Sequence, residues 1–311
     1  VIYVDPEVSD GDLVVNNGVT GFAYSTCKAA VAHATAGDTV RLLKNVEEAG
    51  VTSNPYGVCV AIVDRITIDG NGHSIKGTGM SGDYSSVFYF KGGTIKNFSK
   101  ITGGFRTIFS GGNFTSDLII DNCVIDAGTG TYVFNTDAAS PNYSVSISNC
   151  DIGGWFSYTG DFKSFTITNC TLGKGTSSYA FYRPYSPTIM QGCSFSNVYE
   201  VDPRFASILL NDCELGGTPL TSENLSDFVD PDYTDESQWK AVVVNEGYAA
   251  NAEGEIIAGI YGGNLDVLNS MCADGYRAFP IPGTDPQQYL LTPIYYIHFN
   301  SSGGTGTMES V

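Results

Sequence analysis

The sequence predicts an all-β chain wound as a parallel β-solenoid, and three observations predict it. Of its 311 residues, 37 are Gly, 19 Tyr and 17 Phe, while only 15% are charged, a profile of short strands and tight turns. One short pattern recurs in the middle of the chain: LIIDNCVI at 118–125, VSISNCDI at 145–152, FTITNCTL at 165–172, TIMQGCSF at 188–195 and ILLNDCEL at 208–215. Its cysteines, Cys123, Cys150, Cys170, Cys193 and Cys213, lie 27, 20, 23 and 20 residues apart, too close for a helix pair per repeat. Third, each copy alternates apolar and polar residues until its fifth position, where Asn122, Asn149, Asn169, Gly192 or Asp212 stands. These residue types tolerate a left-handed backbone at least cost, so each marks a one-residue bend between two strands. A strand, a bend and a second strand, repeated every 20 to 27 residues, make one coil of a solenoid whose equivalent residues stack ~4.8 Å apart.

The elements follow in chain order. Residues 1–38 form an N-terminal segment in which Ser25 caps a short helix, its apolar face Cys27, Ala30, Val31 and Ala34 and its stop Gly37. Such a helix suits the open end of a solenoid, whose sheet edge needs cover. Coils occupy 39–220, opening on a strand at 39–43. RITIDGNGHSI at 65–75 and FYFKGGTI at 88–95 fit the repeat more loosely, with Gly70 and Gly92 at the bend. The 30 residues from Gly92 to Asn122 read as one long coil or two short ones. In 221–294 the coils continue behind an acidic loop at 222–239, with strands at 241–244 and 255–261 and a second short helix at 265–273. The Gly, Ser and Thr of 295–311 read as a linker or the start of a next module.

Together, AGDTVRLL at 36–43, ITIDGNGHSI at 66–75 and the S-N-C and T-N-C coils resemble the pectin-lyase-like superfamily. That resemblance implies a right-handed, single-stranded parallel β-helix with a short N-terminal capping helix. IYGGNLDVLNSMCADGYRAF at 260–279 resembles segments of secreted or wall-attached proteins of gut Gram-positive bacteria, and YYIHFNSSGGTGTM at 295–308 resembles the opening of a Listeria–Bacteroides repeat module. Further domains of a parent chain and an extracellular or cell-surface location are what these resemblances imply.

Architecture does not dictate chemistry. Lys plus Arg number 15 against 33 Asp plus Glu, a net charge of −18 that repels nucleic-acid phosphates and anionic lipid heads. No apolar run reaches the ~18 residues of a membrane span, so no membrane insertion is expected. Members of that superfamily that hydrolyse polygalacturonan carry paired aspartates and a Gly-His-Gly type element. Here Asn135-Thr136-Asp137 is similar to the first part, no Asp-Asp pair exists, and Gly72-His73 comes in the wrong order. Family lyases hold calcium on carboxylates of adjacent coils beside an arginine. The outward columns, Asp121, Ser148, Thr168, Gln191 and Asn211 before the bend and Val124, Asp151, Thr171, Ser194 and Glu214 after it, never place two carboxylates on neighbouring coils. Asp126 and Asp151 approach only diagonally, while Asp137, Asp161, Arg183 and Arg204 leave a site on another face of the helix open. His33, His73 and His298 are scattered, and no C-x-x-C occurs. The loop carboxylates Asp230, Asp232, Asp235 and Glu236 lack the glycine and terminal glutamate of a calcium loop. No catalytic residue, metal site or cofactor is assigned. The five repeat cysteines read as small apolar residues kept reduced inside the coil, while Cys27, Cys59 and Cys272 are left open.

The most suggestive residues are aromatic. Trp155, Tyr158, Tyr179, Tyr182 and Arg183, flanked by Tyr132 and Tyr199, suit an exposed strip on which sugar rings stack and hydroxyls bond. The competing reading stacks Phe134, Phe156 and Phe181 inside as a third wall. The expected function is adhesion or glycan binding without catalysis, combined with a spacer role, the partner a glycan or a host surface protein. A polysaccharide lyase or glycoside hydrolase and a purely structural stalk are the alternatives.

Overall fold

A computed structural model describes residues 1–50, 52–53, 57–112, 114–127, 131–137, 139–158, 162–173, 180–184, 188–196, 208–220, 224, 227–228, 242–244, 256–257, 276–280 and 289–294. The chain is a parallel β-solenoid: each coil lays strands into a long sheet that turns a corner, and one strand into a second sheet. Parallel register joins equivalent positions coil by coil. In the long sheet it runs unbroken through Val40, Ile68, Ile95, Ile120, Ile147, Ile167, Met190 and Leu210. All of these are buried, and burying each such side chain contributes about 1.5–3 kcal/mol. In the second sheet an interior column runs in register through Phe88, Ile108, Phe134, Phe156 and Phe181. Phe134 packs on Phe156 and Phe156 on Phe181 with centroids 5.6 and 5.3 Å apart, the third wall that the alternation allowed.

The bends fall where the repeat places them. Asn122, Asn149, Asn169, Gly192 and Asp212 have φ of 52°, 54°, 52°, 61° and 48°. Two earlier bends differ from expectation. In GGTIKNFSKI the left-handed residue is Asn97, with φ 58°, and Phe98 pairs with Cys123, so phenylalanine stands where later coils carry cysteine. The stretch from Asn97 to Asn122 is therefore one coil. Gly92 and Gly93 take positive φ at a different corner, where a side chain on either would strike the backbone of Ser116 or Ile66. Gly70 is not the bend either: Asn71, with φ 53°, takes it. Gly70 is small because the Phe98 ring lies 2.6 Å from where a Cβ would be.

The five repeat cysteines are buried and free, as are Cys27 and Cys59, while Cys272 lies outside the described residues. Each of the five thiols lies 3.5–4.0 Å from a carbonyl of the preceding coil, as Cys170 does from Ile147 O at 3.9 Å.

At the N-terminal end, Cys27–Ala32 is a helix of six residues. Its cap is Thr26 rather than Ser25: Thr26 Oγ1 accepts from Ala29 N at 3.1 Å, whereas Ser25 donates to Asp10. The sheet edge is finished not by this helix but by a hairpin, Asp12–Asn16 antiparallel to Val19–Tyr24, closed by Asn17 and Gly18 with φ of 50° and 78°. Towards the other end, Val242–Val244 adds a parallel strand beside Ile208–Asn211. Ile256–Ile257, Tyr289–Pro293 and Tyr276–Pro280 form an antiparallel three-stranded sheet. The acidic carboxylates at 230–236, the helix expected at 265–273 and the tail 295–311 lie outside the described residues.

Candidate functional site

Ile108, Phe134 and Phe156 face the core of the second sheet, and a register shift between Tyr132 and Phe134 breaks the alternation ahead of them. Register pairs Arg106 with Tyr132, Tyr132 with Trp155, Phe109 with Asn135 and Asn135 with Ser157 across successive coils. At the irregular starts of these strands, Phe105, Tyr132 and Trp155 form a row of half-buried rings. Phe105 meets Tyr132 at 5.8 Å and 69°, and Tyr132 meets Trp155 at 5.8 Å and 87°, edge to face.

Arg106 anchors one side of this row. Its guanidinium lies 4.3 Å above the Tyr84 ring and 5.3 Å from those of Phe109 and Tyr132, a favourable site for a cation. Nε donates to Asp83 O at 2.7 Å, and Nη1 donates to Asp137 Oδ2 at 3.1 Å and to Asn135 Oδ1. Asn135, buried, donates onward to Ser157 O at 2.9 Å. Arg106 is thus held by packing and hydrogen bonds, while Asp137 on its far side is exposed. Fixed planar polar groups beside aromatic rings are what recognition of a sugar's hydroxyls and C–H faces requires.

The expected site residues fare differently. Trp155 stands in the ring row. Tyr158 does not: it is wholly buried, stacked on Phe165 at 4.1 Å, and its hydroxyl meets Thr188 Oγ1 at 2.5 Å. The alternation that turns Phe156 inward turns Tyr158 inward too. Burial pushes the Tyr158 phenol upward, so it stays neutral. Tyr182 and Arg183 lie on the strand Phe181–Pro184, where Arg183 pairs in register with Ser157. Tyr179, Tyr199, Asp161 and Arg204 lie outside the described residues. Arg106, Tyr84 and Phe105 were missed, being upstream of the aromatic cluster. Their signal is FRTIFS at 105–110, where Arg106 sits an even number of residues from the inward Ile108 but at the irregular start of its strand.

The remaining candidates separate. Asp126 pairs with Lys100 at 2.8 Å. His33 stacks on Tyr24 at 4.4 Å, His73 sits at a corner of the long sheet, and His298 lies outside the described residues. Among the described residues, no three His, Cys, Asp or Glu side chains gather in a set that could hold a metal ion. No protein family, curated protein or solved structure matches the chain. The fold therefore rests on its strand pairing and the candidate site on its geometry.

Proposed function

We propose that this chain is a non-catalytic glycan-binding β-solenoid of an extracellular or surface-attached protein, its stacked coils also serving as a spacer. The observation that carries the reading is the Phe105, Tyr132 and Trp155 row beside the Arg106–Asp137 pair, rings and rigid polar groups on one face. The resemblance of the coils to pectin-lyase-like proteins, and of 260–279 and 295–308 to bacterial surface proteins, supports the setting. The net charge of −18 favours neutral glycans over acidic ones.

A glycan array probed with the purified chain, with and without calcium, tests this. Intact glycan bound by the wild type and lost in Trp155→Ala and Tyr132→Ala supports it. Shortened or unsaturated sugars recovered from the array would replace it with the lyase or hydrolase reading, and silence throughout would favour a structural stalk.

A further inference from the structure

The corner of the long sheet is not uniform along the solenoid. Register joins Lys96 to Asp121 before the corner and Ile101 to Ile125 after it, so the coil through Asn97 spends one residue more on the turn than the coil through Asn122. The same comparison, Asp69 with Lys96 and Ile75 with Ile101, adds another residue in the coil through Asn71. The register break falls between Phe98 and Ile101, a bulge of the kind that re-aims side chains beside binding sites. Under this widening corner lies an open groove of about 510 Å³ that crosses four coils, on a different part of the coil from the ring row.

Amides line it. Asn71, Asn97, Asn122 and Asn149 come from successive coils, joined by Ser99, Val124 and Asp151. Asn97 uses one donor and one acceptor within the stack, donating to Asp69 Oδ1 and accepting from Asn122 Nδ2, each at 3.0 Å. Asn149 breaks the chain of amides, donating instead to Asp121 Oδ1 at 2.8 Å. Among the described residues, Asn71 Oδ1, Asn122 Oδ1, Asn149 Oδ1 and Ser99 Oγ then have no protein partner. The groove offers a line of open amide acceptors and one hydroxyl, with no Lys, Arg or His in its lining.

That chemistry selects its ligand. Phosphates and uronates find no cation there, and an apolar chain would leave the amides unpaired. The length of the groove exceeds what one ion needs. Hydroxyls supply donors along a line, and the half-buried Val124 offers a patch for C–H faces. We infer that this corner groove is a second saccharide site, taking a neutral, extended oligosaccharide along the solenoid axis. It does not depend on the ring row.

The test is an NMR titration of the whole labelled chain with cellohexaose, xylohexaose, mannohexaose and maltohexaose, and separately with calcium and spermidine. A neutral hexasaccharide should shift the amides of 97–99 and 122–124. Its affinity should fall at least tenfold both in the Asn122→Gly, Asn149→Gly double variant, which keeps left-handed bends accessible, and in Ser99→Trp, which fills the groove from an exposed position. Trp155→Ala should leave these corner shifts intact, which separates this site from the ring row. Shifts confined to the ring row, affinity unchanged in both groove variants, response only to calcium or spermidine, or no response to any of the four sugars would each overturn the inference.

Discussion

Asp69 is held by Arg41 on the neighbouring coil, whose Nε donates a hydrogen bond to Oδ2 at 3.0 Å and whose Nη2 makes an ion pair with it at the same distance, and its side chain is only 5% exposed. Its other oxygen accepts from Asn71 N and Asn97 Nδ2, also at 3.0 Å, so one carboxylate ties three coils together. The pair belongs to a column that alternates in sign, Arg41, Asp69, Lys96 and Asp121, which disfavours any slip in register.

Removing one member should therefore cost more than replacing both. Asp69→Ala is expected to destabilise by about 3 kcal/mol, because Arg41 and two donors lose their acceptor. Arg41→Met with Asp69→Leu should cost less than Asp69→Ala alone. Urea denaturation of the three proteins checks this, and equal losses would show that the pair does not act as a unit.

At the bends, Asn169→Val should lower stability by about 1–3 kcal/mol, since a β-branched residue resists φ of 52°. Asn169→Gly should be close to neutral, as Asn169 is exposed. Thermal melts that fail to separate the two variants would refute strain as the reason for asparagine there.

Inside the coil, Cys170→Ala should cost about 1 kcal/mol and Cys170→Asp several, because the aspartate carries an unpaired charge into a site 2% exposed. The neighbouring Cys150 thiol is pushed up to about 12, first by its hydrogen bond with Cys123 and further by burial. It should resist iodoacetamide at pH 8 in the native protein and react once urea unfolds it.

Glu48 accepts from the Cys27 and Lys28 amides at 2.8 and 3.0 Å, closing the start of the helix from a neighbouring strand. Desolvation raises its pKa despite these bonds. A raised carboxyl favours the fold in its protonated form, so its contribution is full at low pH and is lost as pH rises through the folded-state value. The stability of wild type relative to Glu48→Gln should thus fall from acid towards neutral pH and then level off. Glu48→Ala should be worse than Glu48→Gln at every pH, by about 1–3 kcal/mol, because it strands two amides.

The repeat was legible because strand period and bend chemistry agree in the five later coils, where alternation ends on Asn, Gly or Asp and a cysteine follows. It faded where they disagree. Phe98 disguised the bend at Asn97, and Gly92 drew attention through flexibility that serves a crowded corner instead. Of the candidate site, Trp155 was visible as an outward aromatic. Tyr158 was misread although the period-2 rule from Phe156 places it inside. The part played by Arg106 depends on Tyr84, Asn135 and Asp137, which come together only when three coils stack.

The cysteine column has one further consequence. A thiol becomes reachable only when its own coil parts from the next, and each coil leans chiefly on its two neighbours. The column is thus a built-in recorder: the order in which Cys123, Cys150, Cys170, Cys193 and Cys213 take up a label under mild denaturant writes down from which end the stack unzips.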